Sequence, residues 1–318
     1  MKRRDFVKQG ILTGLACFFP HVWIKKARAE KKVDRLTILQ TNDTHSRIDP
    51  FPLDGGKHQG LGGISRRSTL IDRIRQQNPN VLLLDGGDVL QGTPYFNLYK
   101  GRVEYETMTA CGYDASTLGN HEFDSGVDSL ANALSYAQFD ILNCNYDFGK
   151  SVLRPFIKTF TVRQIGAIKV GITAVGIDFA DLVAEDNHQG VSYRHPYKSL
   201  QSVVSYLRKD QQCNLVIVLS HLGYKYKEER PSDLEMASQV NGIDWIVGGH
   251  THTFMNEPEI VVSRHGHTAR ILQVGWGGII LGKSDLYFED RQLVAVHTDC
   301  IKIDSIAGEN QLSGNLSG

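Results

Sequence analysis

The chain has 318 residues, with 35 Lys/Arg against 35 Asp/Glu. Setting aside residues 1–29, which hold seven of the basic residues and one of the acidic ones, leaves 289 residues with a net charge of −6, enough for one large domain with a substantial core. A mildly acidic chain has no strong electrostatic pull toward nucleic acid or anionic membranes, so any phosphate it handles must be attracted locally, as bound cations would do.

Residues 1–29 read as an export signal. Lys2, Arg3, Arg4 and Lys8 form a basic end, residues 10–19 an apolar run, and Ala27 and Ala29 a cleavage site before Glu30. The apolar run is far short of the roughly 20 residues a membrane span needs, so no stable membrane insertion is expected after cleavage. The order Arg3-Arg4-x-Phe6-Val7-Lys8 resembles a twin-arginine signal, the export route to the periplasm for folded proteins. An ordinary secretory signal is the alternative; lipidation at Cys17 is disfavoured by Gly14, where a large aliphatic residue is needed. Cys111, Cys144, Cys213 and Cys300 lack CxxC spacing, which argues against a thiolate zinc site. At least two are expected to be buried free thiols, and disulfides stay open.

Residues 33–40 predict a strand, 64–76 a helix, 81–84 a strand covered on both faces, and 95–111 two helical stretches. A short strand at 115–118, a helix at 127–137 and a strand at 139–143 follow. Residues 159–163 and 167–175 flank Gly166 as a hairpin. Then come a helix at 197–209, a buried strand at 215–219, a helix at 234–240 and a strand at 243–247. Strands at 260–263, 269–274, 279–288 and 293–298 close the pattern. Alternating strands and helices followed by antiparallel strands predict a mixed αβ sandwich. One domain is expected over residues 30–304, with a polar tail at 305–318.

Ligand-type side chains recur where buried strands end. Asp43 and His45 stand two apart after the first strand, so strand periodicity sends both to one side. Asp88 follows Gly86-Gly87 after the second, and its two oxygens suit two cations. Asn120, His121, Glu122 and Asp124 crowd the segment after the third, a pattern that also fits a helix cap. His221 follows residues 215–219, and His250 and His252 follow 243–247, again two apart on one expected side. Carboxyl ends of strands converge on the ligand crevice in open αβ sheets. This oxygen and nitrogen set, without thiolate, fits Mn2+, Fe or Zn2+ better than Mg2+ or Ca2+.

Asp43-x-His45, Gly87-Asp88, Gly119-Asn120-His121-Glu122, His221 and Gly249-His250-x-His252, in this order, resemble the calcineurin-like metallophosphoesterases. Gly119–Asp124, with Gln273-Val274-Gly275 and Leu281-Gly282, narrows the resemblance to the 5′-nucleotidase branch, over residues 34–300. It implies a four-layer αββα sandwich with two divalent metal ions between the sheets. One metal would take Asp43, His45, Asp88 and His252, the other Asp88, Asn120, His221 and His250. Asn120 and His121 would also meet the substrate. A metal-bridging hydroxide would attack the phosphoryl group while His121, oriented by Asp124, assists the leaving oxygen. The implied substrate is a small phosphoester, with nucleoside 5′-monophosphates leading. A 2′,3′-cyclic-nucleotide phosphodiesterase, a nucleotide-sugar hydrolase or a sulfur-ester hydrolase would use the same site. Members of this branch continue into a second substrate-binding domain, so a separately encoded partner carrying that domain is a further expectation.

Other features read as structural. His265-Gly266-His267 fits a solvated hairpin loop, and Gly60–Gly63 lacks the Lys-Ser/Thr of a phosphate loop. Arg66 and Arg67 read as a solvated helix start. Trp276, flanked by glycines, suits either core packing or stacking on a substrate, and Glu122 a supporting rather than a catalytic role.

Overall fold

A computed structural model of the chain describes residues 33–304. The expected export signal and the polar tail lie outside the described residues. The first half of the chain lays down β1 (Val33–Thr41), β2 (Val81–Asp85), β3 (Ala115–Thr117), β4 (Asp140–Leu142), β5 (Tyr146–Asp147), β6 (Ile157–Lys158), β7 (Phe160–Ile165) and β8 (Ile168–Gly176). The second half adds β9 (Ser192–Tyr193), β10 (Leu215–His221), β11 (Trp245–Gly248), β12 (Glu259–Val262), β13 (Thr268–Leu272), β14 (Ile280–Glu289) and β15 (Gln292–Lys302). The α-helices are α1 (Ile64–Gln77), α2 (Pro94–Tyr99), α3 (Arg102–Cys111), α4 (Gly126–Leu134), α5 (Pro196–Lys209) and α6 (Asp233–Gln239).

Two mixed sheets result. One runs β15-β14-β1-β2-β3-β4-β6, the other β12-β13-β11-β10-β8-β7, and β5 pairs separately with β9. Strand alternation assigns each face its layer. Leu36, Ile38, Leu82 and Leu84 pack against Leu215, Ile217, Leu219, Trp245 and Val247 between the sheets. Their neighbours Leu39 and Leu83 point the other way, onto Leu70, Ile71 and Met108 of α1 and α3. Val216, Val218 and Ile246 likewise face Leu200, Val204 and Met236 of α5 and α6. The product is helix, sheet, sheet, helix, the sandwich expected from the sequence.

Differences from the sequence expectation have local causes. The helix expected over 127–137 ends at Leu134, because Tyr136 N and Ala137 N turn back to the carbonyls of Ala133 and Leu134 in tight i→i+3 bonds. The two helical stretches expected within 95–111 are present as expected, parted by Lys100 and Gly101, both in the left-handed region, with Thr93 capping the first helix. The two-residue strands β5, β6 and β9 are too short to carry a periodic signal. Cys111, Cys144, Cys213 and Cys300 are all free thiols, Cys111 and Cys213 buried.

Candidate metal centre

Strands β1, β2 and β3 are mutually parallel, as are β10 and β11, so their carboxyl ends reach the same edge of each sheet. Asp43 and His45 follow β1, Asp88 follows β2, Asn120 and His121 follow β3, His221 ends β10, and His250 and His252 follow β11. Two groups form. Asp43, His45 and His252 offer ligand atoms within 4.8 Å of one another, and so do Asp88, His221 and His250. In the first, His45 Nε2 and His252 Nε2 are 3.0 Å apart and His252 Nε2 is 3.4 Å from Asp43 Oδ1. In the second, His221 Nε2 lies 3.0 Å from Asp88 Oδ2, and Asn120 Oδ1 lies 2.9 Å from His250 Nδ1.

Strand periodicity is not what brings these side chains together. β1 ends at Thr41 and β11 at Gly248, and Asp43, His45, Asp88, His250 and His252 all have positive φ, between 48° and 74°. Asp and His enter this region more readily than most residues, and such strain persists where surrounding bonds fix it. Here those bonds interlace the loops: Asp43 N donates to Gly87 O at 2.9 Å, His45 N to Asp88 O at 3.1 Å, and Gly277 N to Asp43 O at 2.7 Å. His250 N donates to both carboxylate oxygens of Asp43, each at 3.0 Å. One result departs from the alternation argument: His250 and His252 fall into different groups rather than on one side.

The residues present fit cations on structural grounds. His221 Nδ1 donates to Gly86 O at 2.7 Å, which fixes the ring, while its buried Nε2 has no aligned hydrogen-bond partner. A Cβ at Gly119 would come within 2.2 Å of Asp88 Oδ1 and 2.6 Å of His221 Nε2, so only glycine leaves the cradle open. Burial opposes charge on His221, yet the Asp88 carboxylate overcomes this and raises its pKa; the spot calls for positive charge, whether proton or cation. Burial lowers the His250 pKa to about 3 and also lowers that of His45, which leaves both as neutral imidazoles suited to ligation.

His121 stands at the mouth of this arrangement. Its Nδ1 lies 2.8 Å from Asp124 Oδ2, and its backbone N–H donates to Asp88 Oδ1 at 2.9 Å. The Asp124 hydrogen bond, against the opposing effect of burial, raises the His121 pKa.

Several supporting residues carried little signal in the sequence. Glu122 accepts the backbone N–H groups of Asp88, Val89, Leu90 and Gly119 at 2.5–3.2 Å, clamping two ligand loops. Asn42 donates to Asp43 Oδ2 and to Gly275 O, both at 2.6 Å. Gln273 donates to Gly249 O at 2.7 Å and accepts from Thr253 N at 3.1 Å, holding the His250–His252 loop. Glu122 has the supporting role read for it in the sequence, whereas Asn42 and the bonds that Gln273 makes carry no sequence signal of their own. Arg67 is not the solvated helix start expected: it is 2% exposed, on the inner side of α1. The hairpin loop at His265–His267 is as expected, with His267 Nε2 paired to Asp244 at 2.9 Å.

Comparison with known proteins places this geometry. The calcineurin-like phosphoesterase family profile matches residues 36–254. The chain is 33% identical over 282 residues to the snake venom 5′-nucleotidase of Gloydius brevicauda, covering 80% of this chain and 46% of that protein. It is 34% identical over 298 residues to the 5′-nucleotidase of Homo sapiens, covering 86% and 50%. The crystal structure of a 5′-nucleotidase precursor from Thermus thermophilus superposes with a TM-score of 0.77 at 31% identity, over 86% of this chain and 55% of that one. The chain thus spans about half the length of the curated relatives it matches. With the sandwich, the two ligand groups and the profile in agreement, the chain belongs to the calcineurin-like phosphoesterase family.

Proposed function

We propose that this chain is an exported dinuclear-metal phosphoesterase that hydrolyses phosphate monoesters, with nucleoside 5′-monophosphates the leading substrate class. The observation that carries the reading is the pairing of two ligand groups, each within 4.8 Å, with a carboxylate-held imidazole beside them at His121. Asp43, His45, Asp88 and His252 would hold one cation and Asp88, Asn120, His221 and His250 the other, with Asp88 shared. Two divalent cations there supply charge neutralisation for phosphoryl oxygens and activation of the attacking water. Asn120 and His121 orient the phosphoryl group, and His121 delivers a proton to the departing ester oxygen while Asp124 fixes its ring through Nδ1. The 5′-nucleotidase relatives support the nucleotide preference, and residues 1–29 support export by the twin-arginine route to the periplasm.

The deciding experiment is a substrate panel on purified chain loaded with Mn2+, Zn2+ or Fe, with metal content measured by elemental analysis. Phosphate release from AMP and from a simple aryl phosphate is the expected result. Preference for a 2′,3′-cyclic nucleotide, a nucleotide sugar or a sulfur ester would reassign the substrate on the same centre. Silence until a second, substrate-binding protein is added would make the chain a catalytic subunit, and silence throughout, with both cations bound, would overturn the enzymatic reading.

A further inference from the structure

A cavity of about 300 Å3 opens beside the candidate centre, and its lining runs from His45, His121 and His252 out to Arg47 and Trp276. The outer two residues have no part in holding cations. The Trp276 indole lies nearly parallel to the His252 imidazole, with centroids 5.8 Å apart and planes 13° apart. It meets the Phe51 ring edge-on at 5.4 Å, and Arg47 holds its guanidinium 4.1 Å from the centre of that same ring. Phe51 therefore supports a flat apolar surface and a cation side by side. Arg47 is half-buried with its Nε buried and without a hydrogen-bond partner, and the planar fork of a guanidinium is matched to an anionic oxygen. The position of Trp276 is tied to the centre, because Gly277 N, one residue on, donates to Asp43 O at 2.7 Å. The indole is only half-buried, so it is not the core residue that the sequence alone allows.

We propose that this wall is a leaving-group subsite, in which Trp276 stacks on a planar ring of the substrate and Arg47 contacts one of its phosphate oxygens. The inference rests on the phosphoesterase reading and narrows it to esters whose leaving group carries an aromatic base or aryl ring. His121 faces the departing oxygen from the same cavity, so the group released there lies toward Trp276. A cavity of this size is at the small end of ligand pockets and suits one nucleotide. The chain would then carry a base-recognition surface of its own.

The test compares kcat/KM for AMP with that for glycerol 3-phosphate, on Mn2+-loaded wild type, W276A, W276F and R47A. W276A is expected to lower the AMP-to-glycerol-phosphate ratio by about tenfold, the usual scale for losing one base–aromatic stack, and W276F by less than about threefold. R47A is expected to lower kcat/KM for both esters by about tenfold or more through loss of a charged contact. A W276A ratio indistinguishable from wild type, or an unchanged R47A, overturns the assignment. Should the wild type hydrolyse neither ester, that outcome bears on the phosphoesterase reading alone, and calorimetric titration of AMP decides the subsite. Weaker binding to W276A, by about tenfold, then supports it; equal binding, or none to wild type, overturns it.

Discussion

The carboxylate of Glu122 accepts the backbone N–H of Asp88 at 3.0 Å, across 34 residues of chain. With its bonds to Val89, Leu90 and Gly119, this ties the loop after β2 to the loop after β3. Glu122→Gln replaces one acceptor oxygen with an NH2 group that faces donors. The expected result is a loss of roughly 2–3 kcal/mol, the scale for hydrogen bonds to a charged group, together with fewer bound cations per chain. Thermal denaturation and elemental analysis on the same preparation check both.

Removing the imidazole of His121 should damage chemistry more than cation binding. His121→Ala is expected to lower kcat by about 10²–10⁴, the range for losing a general acid, at unchanged metal content. Asp124→Asn keeps the ring but loses the carboxylate 2.8 Å from Nδ1, so a smaller loss is expected. Steady-state kinetics with parallel metal analysis separates the effects; loss of metal in His121→Ala would move that residue into the ligand set.

Gly119→Ala tests the cradle by steric means. The new methyl would sit 2.2 Å from Asp88 Oδ1, so the carboxylate must shift. Expected are a folded protein destabilised by about 1–3 kcal/mol, as for overpacking, and binding of fewer than two cations. Full metal occupancy and wild-type activity would contradict the proximity.

Chelation should act on stability as well as on rate. Five ligand-type residues hold left-handed backbone, and a cation bound only by the folded chain stabilises it by mass action. Treatment with EDTA is expected to lower Tm and abolish phosphate release, and Mn2+ to restore both. A Tm indifferent to chelation would mean that the loops are held without cations.

Asp140 gives a pH prediction remote from the centre. Burial pushes its pKa up, but hydrogen bonds from Lys158 and from Thr161 and the charge of Arg163 outweigh this and hold it below the usual carboxylate value. A carboxyl lowered on folding contributes stability above its unfolded pKa and loses it as pH falls through the folded one. Asp140→Asn is therefore expected to cost about 1 kcal/mol at pH 7, with the gap to wild type closing below about pH 4. Denaturant melts at both pH values read it directly.

The layers of this fold could be read from the sequence because buried strands such as β1, β2 and β10 alternate between two apolar environments, leaving uninterrupted runs like Val81–Leu84. The candidate ligand residues were legible because they follow those runs in the order the family resemblance supplies. Their geometry was not. Period-two logic assumed extended backbone at Asp43–His45 and His250–His252, whereas left-handed turns direct these side chains and part the two histidines. The supporting role of Glu122 was legible, but the partners of Glu122 and Gln273 were not, since a side chain that serves distant backbone groups leaves no local pattern. Arg67 was misread because helix-start charge predicts solvent only where nothing packs over the helix, and here the helix turns that face inward.

The two ligand groups draw on residues from Asp43 to His252 and on loops of both sheets. Neither group exists in a chain whose sheets have not docked, and a nascent chain that has emerged only as far as β10 lacks a histidine from each. If these groups hold cations, both complete sites would form only after tertiary assembly rather than as its seed, and the metals at hand where assembly finishes would be the ones open to them.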